Sequence, residues 1–404
     1  MSKKLNKNHF YPLTKIPLGS RLSAISTLLF GNLHRYNKTP HSIQPTRTAE
    51  QILSTFFGGT YTHLVHSGGT GLQIALRAMG INYGDIIATN SYTLSPVSGA
   101  IASVGAKPAY IETTTTLTPC VEHLTTILER EKVKLVLLSH MRGRIPNLTE
   151  ITKICAHYSV PMIEDCAHAL GSYHNGRLVG TFGSIGVFSL QENKPINAGE
   201  GGFLVTKRYK LYETIAELSG SYAFPSTFSK NSKIEKRSAN YPNLSARIDE
   251  VRASLIPKQV KLLSARRKKS QELYNTFIKE LIKGEYFKEV PYPDTSDTIR
   301  LSVQFKKHHN YFTAASQIER TFVKNRLPIT WINRPQPLGY HSQPVDWLFL
   351  EPISPQNSGT INQLRDIVAD IFDMPLPLHF NKKQIKKVAK LINKTQETMQ
   401  WRLT

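Results

Sequence analysis

The stretch between residues 161 and 206 constrains the fold more than any other part of the chain. An apolar run at 160–163 is followed directly by Glu164 and Asp165, and a second apolar run at 185–190 carries Ser189 near its end. Lys194 and a glycine cluster at 199–202 come next. Both runs have the length of strands, and ligands of open α/β sheets bind beyond the carboxyl ends of the strands. The sequence therefore predicts an α/β fold in which an aspartate, a serine and a lysine meet at one sheet edge.

These three side chains match the chemistry of a pyridoxal phosphate site. A carboxylate can pair with the pyridinium nitrogen, a hydroxyl can bind the phosphate, and an amine can form a Schiff base with the aldehyde. Each also has an ordinary explanation: Asp165 could cap a helix, Ser189 could bond only to the backbone, and Lys194 could lie on the surface. Their occurrence together, in this order, favours the cofactor site.

The chain before this stretch alternates strand and helix patterns. An apolar run at 132–139, an amphipathic pattern at 148–158 and the strand at 160–163 form a β-α-β unit. Such a unit implies parallel strands joined by a right-handed crossover. The same patterns predict further strands at 62–65, 85–89, 107–111, 186–190 and 203–206, and helices at 72–79, 98–104 and 209–218.

A glycine-rich turn, Gly68-Gly69-Thr70-Gly71, joins the strand at 62–65 to the helix that follows it. A helix that starts after such a turn offers free backbone N–H groups and the positive end of its dipole to an anion. An ordinary tight turn is the alternative. The position of the turn ahead of Asp165 and Lys194 in one α/β unit favours a phosphate cradle formed by Gly68, Gly69 and Thr70.

Three motifs carry a resemblance to a known family. In order and spacing, Glu-Asp-Cys-Ala-His-Ala-Leu-Gly-Ser at 164–172, Phe-Ser-Leu-Gln-Glu-Asn-Lys at 188–194 and Ala-Gly-Glu-Gly-Gly at 198–202 resemble the DegT/DnrJ/EryC1/StrS family of pyridoxal-phosphate-dependent sugar aminotransferases. The resemblance covers roughly residues 49–265 and returns weakly near the C-terminus. It implies a fold-type-I transferase, with a mixed, mainly parallel sheet, helices on both faces and a smaller α+β C-terminal domain.

The resemblance also implies roles for individual residues at the cofactor. Lys194 would form the Schiff base and move the proton during transamination, and Asp165 would hold the ring nitrogen protonated. His168 would contact the ring, although a structural histidine is the alternative. Ser189 would bind the phosphate. Gly69 stands where relatives carry threonine, which leaves the adjacent Thr70 as the possible source of that hydroxyl.

Other implied contacts involve the ring face and the neighbouring subunit. Leu94 occupies the place of an aromatic residue that stacks on the ring in relatives, with Tyr92 as the alternative. In relatives an asparagine reaches the phosphate of the cofactor that is bound in the neighbouring subunit. The aligned residue here is Ser245, with Asn243 as a second candidate. The resemblance therefore implies a homodimer with shared active sites.

Arg142 and Arg144 follow the strand at 132–139, in a turn that resembles His-Leu-Tyr-Gly of the family. Two arginines on a loop at this sheet edge could hold a carboxylate or a phosphate bidentately. Arginines bonded to loop carbonyls, or a surface pair, are the alternative. We expect both to be candidates for substrate binding.

The composition limits the function classes. The 404-residue chain has a formal net charge of +22, which favours anionic partners, but no zinc-finger spacing or RNA-recognition signature accompanies the charge. No apolar run approaches the ~20 residues of a membrane span, and residues 22–30 are short for a signal peptide. Cys120, Cys155 and Cys166 form no metal or disulfide pattern, so no metal is expected. We expect the three thiols to be reduced, as in a cytoplasmic protein.

Changes in pattern divide the chain into three parts. We expect an N-terminal arm at 1–45, a large cofactor-binding domain at 46–269 and a small C-terminal domain at 270–404. Residues 222–241 are polar and basic and predict a mobile loop. A helical pattern that starts near Ile248 predicts one long helix ending in the basic run at 266–269.

Together these features predict transfer of an amino group from glutamate or glutamine to a keto-sugar, in polysaccharide or secondary-metabolite sugar biosynthesis. The arginines and the basic surface favour an anionic acceptor, either a nucleotide-linked ketosugar or a keto-sugar acid. One alternative is a pyridoxal-phosphate-dependent sugar dehydratase, although dehydrating relatives typically replace the Schiff-base lysine with histidine. Another is a non-catalytic regulator or nucleic-acid-binding protein that retains the fold.

Overall fold

The computed structural model of the chain describes residues 7–31, 33, 44–221, 241–293, 296–309, 311, 313–334, 344–350 and 354–400. The loop expected at 222–241 lies outside these residues except for Tyr241. The strands are β1 (Tyr61–Val65), β2 (Ile86–Asn90), β3 (Lys107–Ile111), β4 (Val133–Ser139), β5 (Met162–Asp165), β6 (Tyr173–His174), β7 (Arg177–Leu178), β8 (Ile185–Ser189), β9 (Gly202–Thr206), β10 (Phe287–Glu289), β11 (Ser296–Asp297), β12 (Ser302–Lys307), β13 (Thr330–Trp331) and β14 (Ile371–Pro375).

The helices flank these strands in sequence and in space. They are α1 (Leu18–Phe30), α2 (Pro45–Phe56), α3 (Gly68–Ala78), α4 (Ser95–Ser103), α5 (Val121–Arg130), α6 (Leu148–His157), α7 (Tyr209–Leu218), α8 (Glu250–Ser254), α9 (Pro257–Val260), α10 (Leu263–Leu281), α11 (Ala315–Lys324), α12 (Pro355–Val368) and α13 (Lys382–Gln400). No helix of the described part is both long and apolar enough to cross a membrane.

A seven-stranded sheet in the order β1-β9-β8-β5-β4-β2-β3 forms the centre of the larger domain. Its strands are parallel except β9, which runs antiparallel to both β8 and β1. Successive side chains of a strand point to opposite faces. Val136 and Leu138 therefore pack with residues of α2, α5 and α6, whereas Leu135 and Leu137 pack with residues of α3, α4 and α7. The predicted mainly parallel sheet with helices on both faces is confirmed.

A four-stranded antiparallel sheet, β10-β12-β14-β13, forms the smaller α+β unit, as predicted. Its core is rich in phenylalanine and includes Phe10 from the N-terminal segment, so part of the expected arm packs into this unit. The domain boundary expected after residue 269 falls inside α10, Leu263–Leu281. The exact division between the domains stays a prediction.

The single long helix expected from Ile248 to the basic run at 266–269 is wrong. The chain forms α8, α9 and then α10, and the basic run lies in the first turns of α10 rather than at a helix end. Pro257, at the start of α9, has no N–H to donate and its ring clashes with the preceding turn, so a continuous helix breaks there. Helix α5 was not anticipated by the sequence patterns.

The register of the parallel strands places several predicted residues at one edge. Ser139 at the end of β4 pairs with Asp165 at the end of β5, and Asp165 pairs in turn with Val187 of β8. Ser189 ends β8 at the same edge. The loops that follow these strands, and the start of α3 after β1, therefore surround one common space.

Candidate active site

A cavity of about 330 Å³ lies at this edge, between the large sheet and the C-terminal unit. Of the residues predicted for the site, those that line it are Gly68, Gly69, Leu94, Arg142, Asp165, His168, Ser189 and Lys194. Thr70, Arg144 and Ser245 are not among the described residues of its wall.

Lys194 is largely enclosed, with 8% of its surface exposed. It lies in a turn after β8, and its backbone carbonyl accepts a 2.6 Å hydrogen bond from Thr14 Oγ1. Burial, followed by the positive charge of Arg142, lowers the pKa of the Lys194 amine to about 8. An amine with such a pKa is partly unprotonated near neutral pH, which a nucleophile or a general base requires.

His168 lies against this amine, with its Nε2 atom 2.8 Å from Lys194 Nζ. Burial, and then the positive charges of Lys194 and Arg142, hold the pKa of His168 well below its usual range. A neutral imidazole can accept a hydrogen bond from a protonated amine or donate one to a free amine. His168 can therefore orient Nζ in either protonation state.

Asp165 presents a fixed carboxylate to the cavity. Its Oδ2 atom accepts a 2.8 Å hydrogen bond from Ser139 Oγ, and its Oδ1 atom accepts a 3.1 Å bond from the backbone N–H of Ala167. Each carboxylate oxygen has a second acceptor site. The group can thus take a further N–H donor, such as a pyridinium, without giving up the bonds that hold it.

Glu164, the other acid of the pair, makes different contacts because adjacent residues of a strand point to opposite faces of the sheet. Its two oxygens accept hydrogen bonds from the backbone N–H groups of Gly180, Phe182 and Gly183. Burial alone would raise the pKa of Glu164, but its contact with His140 and the N–H groups of Gly183 and Gly180 lower it. Glu164 therefore anchors the loop at 180–183 behind the sheet.

The first turn of α3 lies beside the end of β8, where the sequence predicts an anion cradle. Ser67 caps the helix by accepting a 3.1 Å bond from the Thr70 N–H, and the N–H groups of Gly68 and Gly69 precede it in the partly buried first turn. A Cβ atom on Gly68 would lie 3.1 Å from Ser189 Cβ. Glycine at this position thus lets the helix start approach the Ser189 hydroxyl.

Thr70 is not among the described residues of the cavity wall. Its N–H donates to Ser67 Oγ in the cap, and its Oγ1 atom accepts a 3.0 Å bond from Ser67 Oγ. A contact between the Thr70 hydroxyl and a phosphate stays a prediction. Ser67 itself lines the cavity and was not predicted.

The structure separates the two candidates for the ring face. Leu94 lies in the cavity wall, directly before α4. Tyr92 is buried in a cluster with Met141 and Val290, and burial raises the pKa of its phenol. Leu94 therefore remains the candidate for contact with the ring, as favoured from the sequence.

Arg144 is not a substrate-binding residue in this structure, contrary to prediction. It is 1% exposed, its guanidinium donates to the backbone carbonyls of Thr116, Pro291 and Val290, and it lies 4.3 Å over the ring of Tyr292. These bonds occupy donors that a substrate would need. Arg144 instead joins the loop after β4 to the C-terminal unit.

Arg142 does line the cavity, but it has a partner. Its Nη2 atom lies 2.6 Å from Oδ2 of Asp373, a residue of β14 in the C-terminal unit. The side chains remain 18% and 10% exposed, respectively. Asp373 was not predicted, because nothing in its local sequence distinguishes it from a buried strand residue.

Ser245 is exposed on the surface of this chain, and its backbone N–H donates a 2.8 Å bond to Asn243 Oδ1. Its expected contact was with the cofactor of a partner subunit, so its role stays a prediction. The N-terminal segment supplies unpredicted wall residues, Tyr11 and Leu13, and the Leu13 N–H donates to Asn193 Oδ1 at 3.3 Å. The irregular sequence there gave no signal for this contact.

Comparison with known families places the protein. The model of the DegT/DnrJ/EryC1/StrS aminotransferase family matches residues 41–393. The chain belongs to this family. The resemblance read from the three motifs is thereby confirmed over most of the chain.

Individual relatives share limited sequence identity with this chain or match only part of it. GDP-perosamine synthase of Escherichia coli O157:H7 is 34% identical over 164 residues, which cover 40% of this chain and 44% of that protein. The pleiotropic regulatory protein of Geobacillus stearothermophilus is 26% identical over 289 residues, 69% of this chain and 71% of that protein. The chain spans less than half the length of the curated relatives that it matches first.

A solved structure shares the whole fold. The E. coli GDP-4-keto-6-deoxy-D-mannose-3-dehydratase with bound hydrated pyridoxal phosphate superimposes with a TM-score of 0.80, covering 95% of this chain and 99% of that one. The sequences are 18% identical, so this likeness concerns the fold. The predicted fold-type-I class is confirmed.

Proposed function

We propose that this protein is a pyridoxal-phosphate-dependent aminotransferase that delivers an amino group to the ketone of a sugar. The observation that carries the proposal is the convergence, in one cavity, of Lys194 with its lowered pKa, the fixed carboxylate of Asp165 and the helix start beside Ser189. An amine, a carboxylate and an anion cradle are the parts that this cofactor needs. The family membership supports the same conclusion.

The residues present fit the cofactor at each of its polar groups. Asp165 would pair with the ring nitrogen, the N–H groups of Gly68 and Gly69 together with Ser189 would bind the phosphate, and Leu94 would lie at the ring face. When bound, pyridoxal phosphate supplies an electron sink for negative charge that develops at the amino-bearing carbon. Asp165 would strengthen that sink by keeping the ring nitrogen protonated.

Lys194 would move the proton. Because its pKa is about 8, a fraction of the amine is a free base near neutral pH and can remove a proton from the amino-bearing carbon of the donor. The same Nζ, once protonated, would give up that proton within the same half-reaction, and it would move a proton in the opposite direction in the second. His168, 2.8 Å away, would hold Nζ in place in both states.

The finer assignment concerns donor and acceptor. We infer glutamate or glutamine as the donor and an anionic keto-sugar, either nucleotide-linked or a sugar acid, as the acceptor. Arg142 in the cavity wall supports an anionic acceptor, and the net charge of +22 would attract one. Because donor and acceptor would use the same cavity in turn, we expect ping-pong kinetics.

Two relatives bear names that suggest other functions. One structure with this fold is a dehydratase, and one relative with a long match is a regulatory protein. The amine at position 194 favours transamination over dehydration, because dehydrating relatives typically carry histidine there. The set of enclosed ionisable groups around Lys194 favours an enzyme over a regulator.

We also propose that two copies associate. Ser245 lies exposed before α8, and helix α1 packs against α8 while turning large apolar residues outward. Large exposed apolar patches mark sites of association. A second copy at this surface would bring each Ser245 close to the other subunit.

The decisive experiment is spectroscopic. The protein loaded with pyridoxal phosphate should show the visible band of the bound cofactor, and borohydride should bleach it and attach the cofactor to the peptide that contains Lys194. Lys194→Ala should lose the covalent attachment, whereas Lys153→Ala, an exposed control on α6, should keep it. Amino-sugar product from keto-sugars with glutamate or glutamine then separates transamination from dehydration. A protein that takes up no cofactor, or that labels equally without Lys194, would refute the proposal.

A further inference from the structure

A buried series of hydrogen-bonded polar side chains surrounds Arg142 behind the cavity wall. Asp373 contacts Arg142 through Oδ2, and its Oδ1 atom accepts a 2.6 Å bond from Gln304 Nε2. Gln304 Oε1 in turn accepts a 3.1 Å bond from Arg144 Nε. One carboxylate therefore faces two arginines, one directly and one through an amide.

This series of side chains is held at its far end by several hydrogen bonds. Arg144 is fixed by the backbone carbonyls described above, and Gln304 is 0% exposed and pairs with Asp373 across β12 and β14. The Asp373 carboxylate can only accept and the Arg144 guanidinium can only donate, which fixes the orientation of the Gln304 amide, and Nε2 also donates to Ser302 Oγ at 2.7 Å. We call Asp373, Gln304 and Arg144 the Arg142 brace.

Arg142 itself is held in an uncommon backbone conformation. Its φ of 56° is in the left-handed region, which non-glycine residues seldom adopt, and its carbonyl accepts a 3.0 Å bond from Tyr292 Oη. The turn and the brace together aim the guanidinium at the cavity. Such strain is characteristic of residues whose direction matters for function.

The guanidinium still has a donor to offer. Arg142 Nε is buried and has no hydrogen-bond partner within the described part of the chain. Nε is therefore shielded, and a ligand would meet the part of the guanidinium that stays exposed in the cavity wall, since the side chain is 18% exposed. A hydrogen bond from a guanidinium to a carboxylate is assisted by the charges of both groups.

Building on the proposed function, we propose that Arg142 is the acceptor-specificity residue and recognises a single carboxylate, and that Asp373 positions it. Asp373 already neutralises the charge of Arg142 and lies in the same cavity wall. A ligand group with one negative charge can share the guanidinium with Asp373, whereas a diphosphate would bring several charges against that carboxylate. The acceptor class is then a keto-sugar acid rather than a nucleotide-linked sugar.

Calorimetric binding to the cofactor-loaded protein tests this directly. The probes are D-glucuronate, D-glucose and UDP-glucose, which carry a carboxylate, no charge and a diphosphate, respectively. We expect glucuronate to bind at least tenfold more tightly than glucose and more tightly than UDP-glucose. Arg142→Gln should remove this preference, and Arg130→Gln, an exposed control at the end of α5, should retain it. Tighter binding of UDP-glucose, or an unchanged preference in Arg142→Gln, would overturn the assignment.

Asp373 is tested by its charge. Asp373→Asn can still accept the Gln304 bond, but it no longer opposes a second negative charge, so affinity for UDP-glucose and inorganic phosphate should rise several-fold. Asp373→Glu keeps the charge and should keep the preference for glucuronate over UDP-glucose. This variant also tests the role of the charge if the asparagine variant folds poorly. Unchanged affinity for UDP-glucose and phosphate in a folded Asp373→Asn protein would exclude a positioning role for this carboxylate.

These outcomes are separable from those of the proposed function. Absence of the cofactor band and of an amino product would refute the aminotransferase proposal. Equal affinity for the three sugars, in a protein that does bind the cofactor, would refute the role of Arg142 alone.

Discussion

Arg142 influences Lys194 through its charge rather than through a hydrogen bond. Burial is the first cause of the lowered pKa of Lys194, and Arg142 is the second. Replacing Arg142 by methionine keeps an apolar stem in the wall and removes the charge. The pKa of Lys194 should then rise, because the protonated amine no longer meets a positive neighbour.

The expected result is a shift of the pH profile. Activity that requires the free amine rises with pH through the pKa, so its acid limb should move to higher pH in Arg142→Met. At pH 7 the rate should fall roughly twofold to tenfold, since one pKa unit corresponds to a factor of ten in the free-base fraction. The midpoint of this acid limb is the quantity to compare between the variants. An unchanged midpoint, with Arg130→Met as the reference, would contradict the argument.

Asp165 and Glu164 offer a comparison between adjacent acids. Asp165→Asn keeps an oxygen for the Ala167 N–H but loses the charge, so kcat should fall on the order of 10²–10³, as for other fixed electrostatic contacts, while the fold persists. Glu164→Gln weakens three backbone contacts and should instead lower the free energy of unfolding by about 1–3 kcal/mol. Steady-state kinetics and urea unfolding of both variants check this. Loss of stability in Asp165→Asn without loss of kcat would reverse the assignment.

Among the elements, the position of α3 on the sheet determines the shape of the proposed anion cradle. A Cβ atom on Gly202 of β9 would lie 2.6 Å from the backbone N of Gly68, and one on Gly71 would lie 2.9 Å from Val187 Cγ1. The contact at Gly202 is with backbone, which cannot rotate away. Close approach of α3 to β8 and β9 thus depends on glycine at these two positions.

Gly202→Ala should therefore push the start of α3 away from Ser189. We expect a loss of about 1–3 kcal/mol in the free energy of unfolding, together with a weaker affinity for pyridoxal phosphate, because the cradle widens. Gly359→Ala, in helix α12, is the control and should bind the cofactor normally, because no non-neighbouring atom of the described residues lies within 4 Å of the added methyl group. Equal cofactor affinity in the two variants would show that the spacing of α3 and β8 does not matter.

The elements also show which parts of the site were accessible from sequence. The bounds of β3 and α7 were predicted correctly, and so was the meeting of Asp165, Ser189 and Lys194 at one sheet edge, because strand ends and the motifs that follow them are local patterns. Asp373 was not found, since its contact with Arg142 joins residues that are far apart in the chain. Arg142 and Arg144 are two residues apart, and only the turn geometry decides which of them faces the cavity.

The whole molecule leaves one helix with its apolar side outward. The residues of α1 that are buried against the body are Ser20 and Thr27, whereas Leu18, Leu22, Ile25 and Leu29 are 71%, 55%, 50% and 68% exposed. A surface helix normally buries its large apolar stripe. The reversed arrangement, beside the segment that resemblance assigns to the subunit interface, favours a second copy as the group that covers this face.

Glutamate at positions 22 and 29 should therefore disrupt association. The double variant Leu22→Glu/Leu29→Glu places two charges in a contact that we expect to be apolar, and the dimer should weaken at least tenfold, since each buried leucine contributes roughly 1.5–3 kcal/mol. Light scattering after size-exclusion chromatography should give about twice the 45.5 kDa chain mass for the native protein and a smaller mass for the variant. Tyr83→Glu replaces an apolar residue that is 89% exposed elsewhere and should leave the mass unchanged.

Because each copy carries a net charge of +22, added salt should strengthen the native dimer by screening repulsion. A native protein that is monomeric at every salt concentration, or a double variant as dimeric as the native chain, would show that α1 does not form the interface.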